Sequence, residues 1–240
     1  MQKQPSFSEF ASLRFSAGGH AITRLVSQRI GAVLAWLGCR LGLSPNAITL
    51  LGALVFLLAA CLYAALPAGW PSALACLLLF QLGYGIDCAD GQLARATART
   101  SPLGAWLDIA CDYFRTIALG AGMAAWIVRS GLSPWAALTA AVLFSSGAAI
   151  QLHTVTVLRQ VSRDTRLQTR GLAQRAREFI TGFLDTATVL LVIALLRELA
   201  PLLSLYAAGV GLMYMAMATF QALNRLRKPA PDQPAETAPR

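Results

Sequence analysis

Four aspartates fall within 26 positions, Asp87 and Asp90 three apart and Asp108 and Asp112 four apart. Either spacing puts both carboxylates of a pair on one face of a helix, about a turn from each other. The chain around them is apolar. A carboxylate at membrane depth costs about 2.5 to 3.5 kcal/mol on insertion scales, so such residues line a cavity or serve a function. Four packed together repel unless protons or cations neutralise them, and Arg95 and Arg99 are too few to balance them all. A hard divalent cation held by oxygen is the simplest answer. Mg²⁺ or Mn²⁺ fits better than zinc, because no His or Cys sits at ligand spacing within the group. Such a cation keeps coordination positions for water and substrate phosphate, which points to phosphoryl or phosphatidyl transfer.

The residues between the pairs bear on the same chemistry. Asp87-Cys-Ala-Asp90-Gly91-Gln-Leu-Ala94-Arg95 reads as a small, backbone-exposing turn where a ligand can approach the main chain. Gly104 sits one helical turn before Asp108, where it suits close packing. The short connection between the pairs predicts antiparallel neighbouring helices whose acidic faces converge near the cytoplasmic mouth. Arg115, one turn beyond Asp112, has two readings: a cation for an acceptor phosphate, or a structural ion pair to the aspartates.

The elements that must hold these residues are membrane helices. The 240 residues are 56% hydrophobic and 13% charged, against roughly a quarter charged in a soluble domain, and the mean hydropathy is +0.57. The reading is an all-α integral membrane protein of one domain, about 20–228, with six transmembrane spans near 47–66, 70–87, 103–127, 134–156, 179–197 and 199–222. The last two form a tight hairpin or one kinked element, and the hairpin is favoured because nearly 45 residues is too long for one crossing. Before them, Ile22, Leu25, Val26, Ile30, Val33, Leu34 and Leu37 recur at helical spacing over 20–40, predicting an amphipathic amino-terminal surface helix. Residues 1–19 read as a flexible lead-in without the apolar core of a cleaved leader, and 229–240 as a disordered tail.

A formal charge of +9 invites a nucleic-acid reading, but 17 of the 20 Lys and Arg residues fall in connections that alternate with apolar spans. Membrane topology explains them, placing both termini and the acidic mouth in the cytoplasm, at the inner membrane in a bacterium. No nucleic acid partner is expected. Arg159, Arg163, Arg166 and Arg170 make one basic stripe if helical, suited to anionic lipid headgroups or to a substrate phosphate. The five cysteines, Cys39, Cys61, Cys76, Cys88 and Cys111, are scattered without a CxxC pair and read as small buried hydrophobes.

The run from Asp87 to Asp112 resembles the signature of the CDP-alcohol phosphatidyltransferase family, D-x2-D-G-x2-A-R-x8-G-x3-D-x3-D. All eight fixed positions are filled, by Asp87, Asp90, Gly91, Ala94, Arg95, Gly104, Asp108 and Asp112. Ser44-Pro45-Asn46-Ala47-Ile48-Thr49 is similar to the family's Thr-Pro-Asn lead-in, with Ser in place of Thr. The resemblance implies a homodimer of six-helix protomers, each with a cavity open to the cytoplasm. It implies metal ligation, by two Mg²⁺ or Mn²⁺ ions, at Asp87, Asp90 and Asp108, with Asp112 as the base, within the metal shell, or both. It implies that Gly91 and Ala94 lie against the cytidine nucleotide of a CDP-linked donor. Arg95, Asn46, Thr49 and Gly104 complete that donor site.

The implied reaction moves a phosphatidyl group from CDP-diacylglycerol, or another CDP-alcohol, to a small alcohol acceptor, releasing CMP in phospholipid biosynthesis. Two rival readings are an intramembrane prenyltransferase with aspartate-rich motifs and a membrane cation transporter. The first needs a second acidic cluster, whereas the later spans offer only Asp185, Glu178 and Glu198. The second leaves the spacing of Gly91, Ala94 and Arg95 unexplained. Glycerol 3-phosphate, inositol phosphate, inositol and serine all remain open as acceptors.

Overall fold

The computed structural model describes residues 5–13, 23–161 and 184–226. The start of the expected surface helix, the first residues of the fifth apolar stretch, the arginines at 163–177 and the 229–240 tail lie outside the described residues, as does the side chain of Arg159. Among the described residues the chain is all-helical: α1 (Phe7–Leu13), α2 (Gln28–Arg40, entered through a π-turn at Thr23–Ser27), α3 (Pro45–Ala65), α4 (Trp70–Ala96), α5 (Pro102–Arg129), α6 (Pro134–Val161), α7 (Thr186–Leu195) and α8 (Ala200–Leu226).

Ser-Pro dipeptides start α5, which carries Asp108 and Asp112, and α3, which packs beside it. Ser44 Oγ accepts from the Ala47 N–H at 3.2 Å and Ser101 Oγ from the Gly104 N–H at 3.0 Å. Each satisfies a helix-end donor, while Pro45 and Pro102 occupy first-turn positions where no N–H is needed. The second apolar stretch does not stop at Asp87. Helix α4 runs to Ala96, so the segment read as a turn is helical. Leu, Gln, Ala and Arg are good helix formers, and one interior glycine costs only about 1 kcal/mol. Just past its end, Ala98 turns the chain in the left-handed region at φ 53°, with the Arg99 N–H donating to the Ala94 carbonyl at 2.9 Å.

Among the described residues, four helices are long and apolar enough to cross a membrane: Pro45–Ala65, Trp70–Ala96, Pro134–Leu158 and Ala200–Asn224. Helix α5 has the length, at 28 residues, but carries Asp108, Asp112 and Arg115. Large apolar side chains point outward, among them Leu54, Leu58, Leu78, Ile117, Leu205 and Phe220. Together with the span-length helices, this is the surface of an integral membrane protein.

Helix α3 packs against both α4 and α5 and stands between them, so the two acid-bearing helices are not the direct neighbours that their short connection predicts; α6 lies beside α5, α8 beside α6, and α7 against α4. One core joins Phe56, Tyr63, Phe80, Met123, Leu190 and Leu203. The Tyr214 hydroxyl donates to the Leu184 carbonyl at 2.8 Å, so the chain reverses between α7 and α8, and the two segments fold back on each other instead of forming one kinked element. At that reversal Arg197, which the sequence places in a connection, is fully buried. Its guanidinium donates to the carbonyls of Tyr63, Leu66 and Pro67 at 2.7–3.2 Å and lies 3.6 Å from the Trp126 ring centroid. It therefore closes the carboxyl end of α3.

The amino-terminal region departs from expectation in two ways. Residues 7–13, expected to be flexible, form α1, with Phe10 fully buried. Glu9 accepts from the Ser6 N–H at 3.0 Å, half of a capping box that Ser6-Phe-Ser-Glu9 spells out. Helix α2 buries Gly31, Ala32, Ala35 and Gly38 and leaves Val33 and Leu37 exposed. A Cβ on Gly31 would stand 2.8 Å from that of Cys88, so α2 lies directly against α4 behind the acids.

Candidate active site

The carboxyl half of α4 brings Asp87 and Asp90, and the amino half of α5 brings Asp108 and Asp112, to the same end of the bundle. Asp87, Asp90 and Asp108 each offer an oxygen, and the three lie within 4.8 Å of one another. The donor set is all carboxylate, which fits a hard divalent cation. Asp112 stands outside that trio. It pairs with Arg115, and the same guanidinium nitrogen lies 2.6 Å from Asp87 Oδ1. Of the two sequence readings of Arg115, the ion pair is therefore present, and it ties α5 to α4.

Asp90 is held from the third helix. Thr49 Oγ donates to Asp90 Oδ2 at 2.5 Å, and both residues are buried. Thr49, assigned by resemblance to the donor nucleotide, thus touches an aspartate directly. The contact fixes the Asp90 carboxylate beside Asp87 and Asp108, as a hydrogen bond to a ligand carboxylate does in metal sites.

Two cavities flank the acids. The smaller, about 220 Å³, is lined by Asn46, Thr49, Gly91, Ala94, Arg95 and Gly104, with Asp90 and Asp108 in its wall. It gathers all six residues that the sequence marks for the donor. Its shape depends on missing side chains. A Cβ on Gly91 would stand 3.1 Å from Arg95 Nη1, and one on Gly104 the same distance from Asn46 Oδ1. Arg99 lies there too, carried in by the left-handed end of α4. The larger cavity, about 490 Å³, has Asp87, Asp112 and Arg115 at one wall and Tyr84, Gln151 and Asp185 among the rest.

The residue-pattern model described as CDP-alcohol phosphatidyltransferase matches residues 42–223. The chain belongs to the CDP-alcohol phosphatidyltransferase family. Human cholinephosphotransferase 1 is 35% identical over 121 residues, 47% of this chain and 29% of that protein. Archaetidylinositol phosphate synthase of Pyrococcus horikoshii is 33% identical over 111 residues, 45% of this chain and 50% of that protein. The chain thus spans half or less of the curated relatives it matches. The crystal structure of phosphatidylinositol phosphate synthase from Mycobacterium tuberculosis, with CDP-DAG bound, aligns over 86% of this chain and 98% of that one, with a TM-score of 0.56 and 18% identity. At that identity it establishes the shared fold.

Sequence reasoning located the acids and the small cavity but missed two residues of the larger one. Gln151 lies on α6 and Asp185 immediately before α7, neither within a local motif. Asp185 accepts from the Thr23 hydroxyl at 2.6 Å, across 162 residues of chain. A polar residue inside an otherwise apolar segment is the one available signal. The cysteines are all free thiols, but only Cys76 and Cys111 are the buried hydrophobes expected; Cys39 and Cys88 are half-buried and Cys61 is exposed.

Proposed function

We propose that this chain is a metal-dependent transferase that moves a phosphatidyl group from CDP-diacylglycerol to an alcohol and releases CMP. The observation that carries the reading is the position of the acids between two cavities, the smaller one formed by the residues of the nucleotide signature. Asp87, Asp90 and Asp108 would hold Mg²⁺ or Mn²⁺, with Asp112 close enough to join a second ion. The bound ions supply neutralisation of the donor's diphosphate and of the CMP that departs.

The chain's own residues account for the rest. Gly91, Ala94 and Gly104 let the nucleotide lie against the helix backbone, while Arg95 and Asn46 hold its polar edges. Asp112, facing the larger cavity, takes the proton of the attacking hydroxyl. That oxygen bonds to the phosphorus next to the lipid, and the bond to the CMP oxygen breaks. Holding both substrates at fixed positions across the acid wall removes the entropic cost of their meeting.

In the same reading the described span-length helices, α5 and the α7 segment make six spans, α2 lies at the membrane surface, and two copies form a dimer within the lipid. Arg40, Arg95 and Arg99 sit at the acidic end, which supports a cytoplasmic site and cytoplasmic termini. The test is purified protein in detergent with CDP-diacylglycerol, Mg²⁺ and a panel of alcohols, read by CMP release. Release that needs an acceptor and stops on chelation is expected. No release with any acceptor, together with cation flux in liposomes, would replace the enzyme by a transporter.

A further inference from the structure

Helix α4 presents two opposite faces at the acidic end. At about 100° per residue, Asp87, Asp90, Gly91, Ala94 and Arg95 centre about 180° from Ala89, Gln92, Leu93 and Ala96. The first face lines the two cavities. The second meets the amino-terminal helices and carries the residues of this stretch that are most fully buried, Ala89, Gln92 and Leu93.

Three contacts hold that second face. Gln92 Nε2 donates to the Gln28 carbonyl at 3.1 Å and to Gln28 Oε1 at 2.7 Å. Gln92 Oε1 has no partner among the described residues, so Gln28 is what keeps the amide in this apolar setting. Gly31 lies so close that a Cβ on it would stand 2.8 Å from that of Cys88 and 3.2 Å from the Ala89 nitrogen. Phe10, fully buried, joins a cluster with Ala32 and Ala35 of α2, Ile48 of α3, and Ala89 and Leu93 of α4. Helix α1 packs on both α2 and α4, and Phe7 meets the Trp36 ring edge-on with 6.0 Å between centroids. A helix of seven residues does not hold its shape alone in water, so α1 exists through this docking.

We infer that α1 and the start of α2 brace the back of α4, with Phe10 and Gln92 as positioning residues for the donor's nucleotide. This rests on the transferase reading. Neither side chain lines the donor cavity; each acts through α4. The acids have ties of their own, Thr49 to Asp90 and Arg115 to Asp87. Gly91 and Ala94 have no side chain that could make such a tie, so their place at the cavity wall depends on where the helix behind them is held. Gln92 sets the depth of α4 against α2, and Phe10 clamps α1 over the same face. Loss of the brace lets α4 shift, which moves Gly91 and Ala94 relative to Asn46 of α3 and Gly104 of α5 across the cavity. Because α1 packs on α2 and α4, the effect falls on the donor and not on the acceptor.

The experiment uses the full chain in detergent and the variants Phe10→Ala, Phe10→Leu and Gln92→Leu. It reads CDP affinity by calorimetry with Mg²⁺ present, the donor and acceptor KM by CMP release, and the melting temperature. Phe10→Ala and Gln92→Leu are expected to raise the CDP Kd and the donor KM by about tenfold, less than the roughly 100-fold that a 1 Å misplacement can cost. The acceptor KM and the melting temperature should stay at their wild-type values. Phe10→Leu, which refills most of the space, should restore CDP binding. An unchanged CDP Kd in Phe10→Ala or Gln92→Leu, or no rescue by Phe10→Leu, overturns the inference. So does an acceptor KM that rises equally, or a melting temperature that falls in step, since either assigns the contacts to general stability. Should Phe10→Ala not fold, Gln92→Leu carries the test, because it is close in volume and removes a buried acceptor that has no partner. Wild-type protein that binds no CDP refutes the transferase reading and the inference with it, whereas wild type and variants binding CDP alike refute the brace alone.

Discussion

Replacing Thr49 by valine removes one hydroxyl and almost no volume. In the folded protein that hydroxyl donates to Asp90 Oδ2 at 2.5 Å, between residues that are 3% and 6% exposed. Water cannot readily take its place, so Asp90 loses its donor from α3 and is held less firmly beside Asp87 and Asp108. A hydrogen bond to a charged group contributes about 1.5–3 kcal/mol, and about 1.4 kcal/mol corresponds to tenfold in an equilibrium constant. If the whole effect falls on metal ligation, the metal constant weakens by about 10- to 100-fold, the range seen when supporting hydrogen bonds of metal ligands are removed. The assay is CMP release as a function of Mg²⁺ concentration, followed by donor titration at saturating Mg²⁺. Thr49→Val should shift the Mg²⁺ curve to higher concentration and leave the donor KM near its original value. Thr49→Ser, which keeps the donor, should restore the curve. An unshifted Mg²⁺ curve with a raised donor KM would refute the reasoning and assign the hydroxyl to the nucleotide.

Asp108→Asn takes a charged oxygen from the trio and should reduce turnover to background, with near-normal CMP release at saturating Mg²⁺ as the contrary result. Gly91→Val puts a branched side chain where a Cβ already stands 3.1 Å from Arg95 Nη1. It should raise the donor KM at least tenfold with little change in the Mg²⁺ dependence, as measured in the same assay. Arg197→Ala strips a fully buried guanidinium from three carbonyls and Glu198. A loss of about 3–5 kcal/mol is expected for breaking such a buried network, visible as a lowered melting temperature in detergent. The metal constant of the folded fraction should not move, since Arg197 lies at the opposite end of the bundle from the acids.

Much of the architecture is written locally. The aspartate spacings, the Ser-Pro starts of α3 and α5 and the long apolar runs each act within a turn or two of helix, where 3.6-residue periodicity and backbone capping decide the outcome. The same holds for the six donor residues. Five of them, Gly91, Ala94, Arg95, Asn46 and Thr49, lie within short segments whose helices start or end at the acidic mouth, and Gly104 opens the next helix. The Ser6–Glu9 contact that starts α1 is equally local. Even the error at Gly91–Arg95 was local, a glycine given more weight than the helix formers around it.

What the sequence could not hold is the rotation and depth of each helix against its neighbours. Those decide that Arg115 reaches Asp87 as well as Asp112, that Thr49 meets Asp90, that Arg197 turns inward to the end of α3, and that Gln151 faces the same cavity as Arg115. Each contact joins residues from 3 to 134 positions apart, and most join different helices. Spacing along one helix fixes which side chains share a face, whereas the partner that face meets depends on close packing summed over the whole bundle. The sequence therefore determined the acids and the membrane helices. Tertiary packing decided which acid is paired, which are free to share a cation, and what stands across the cavity from them.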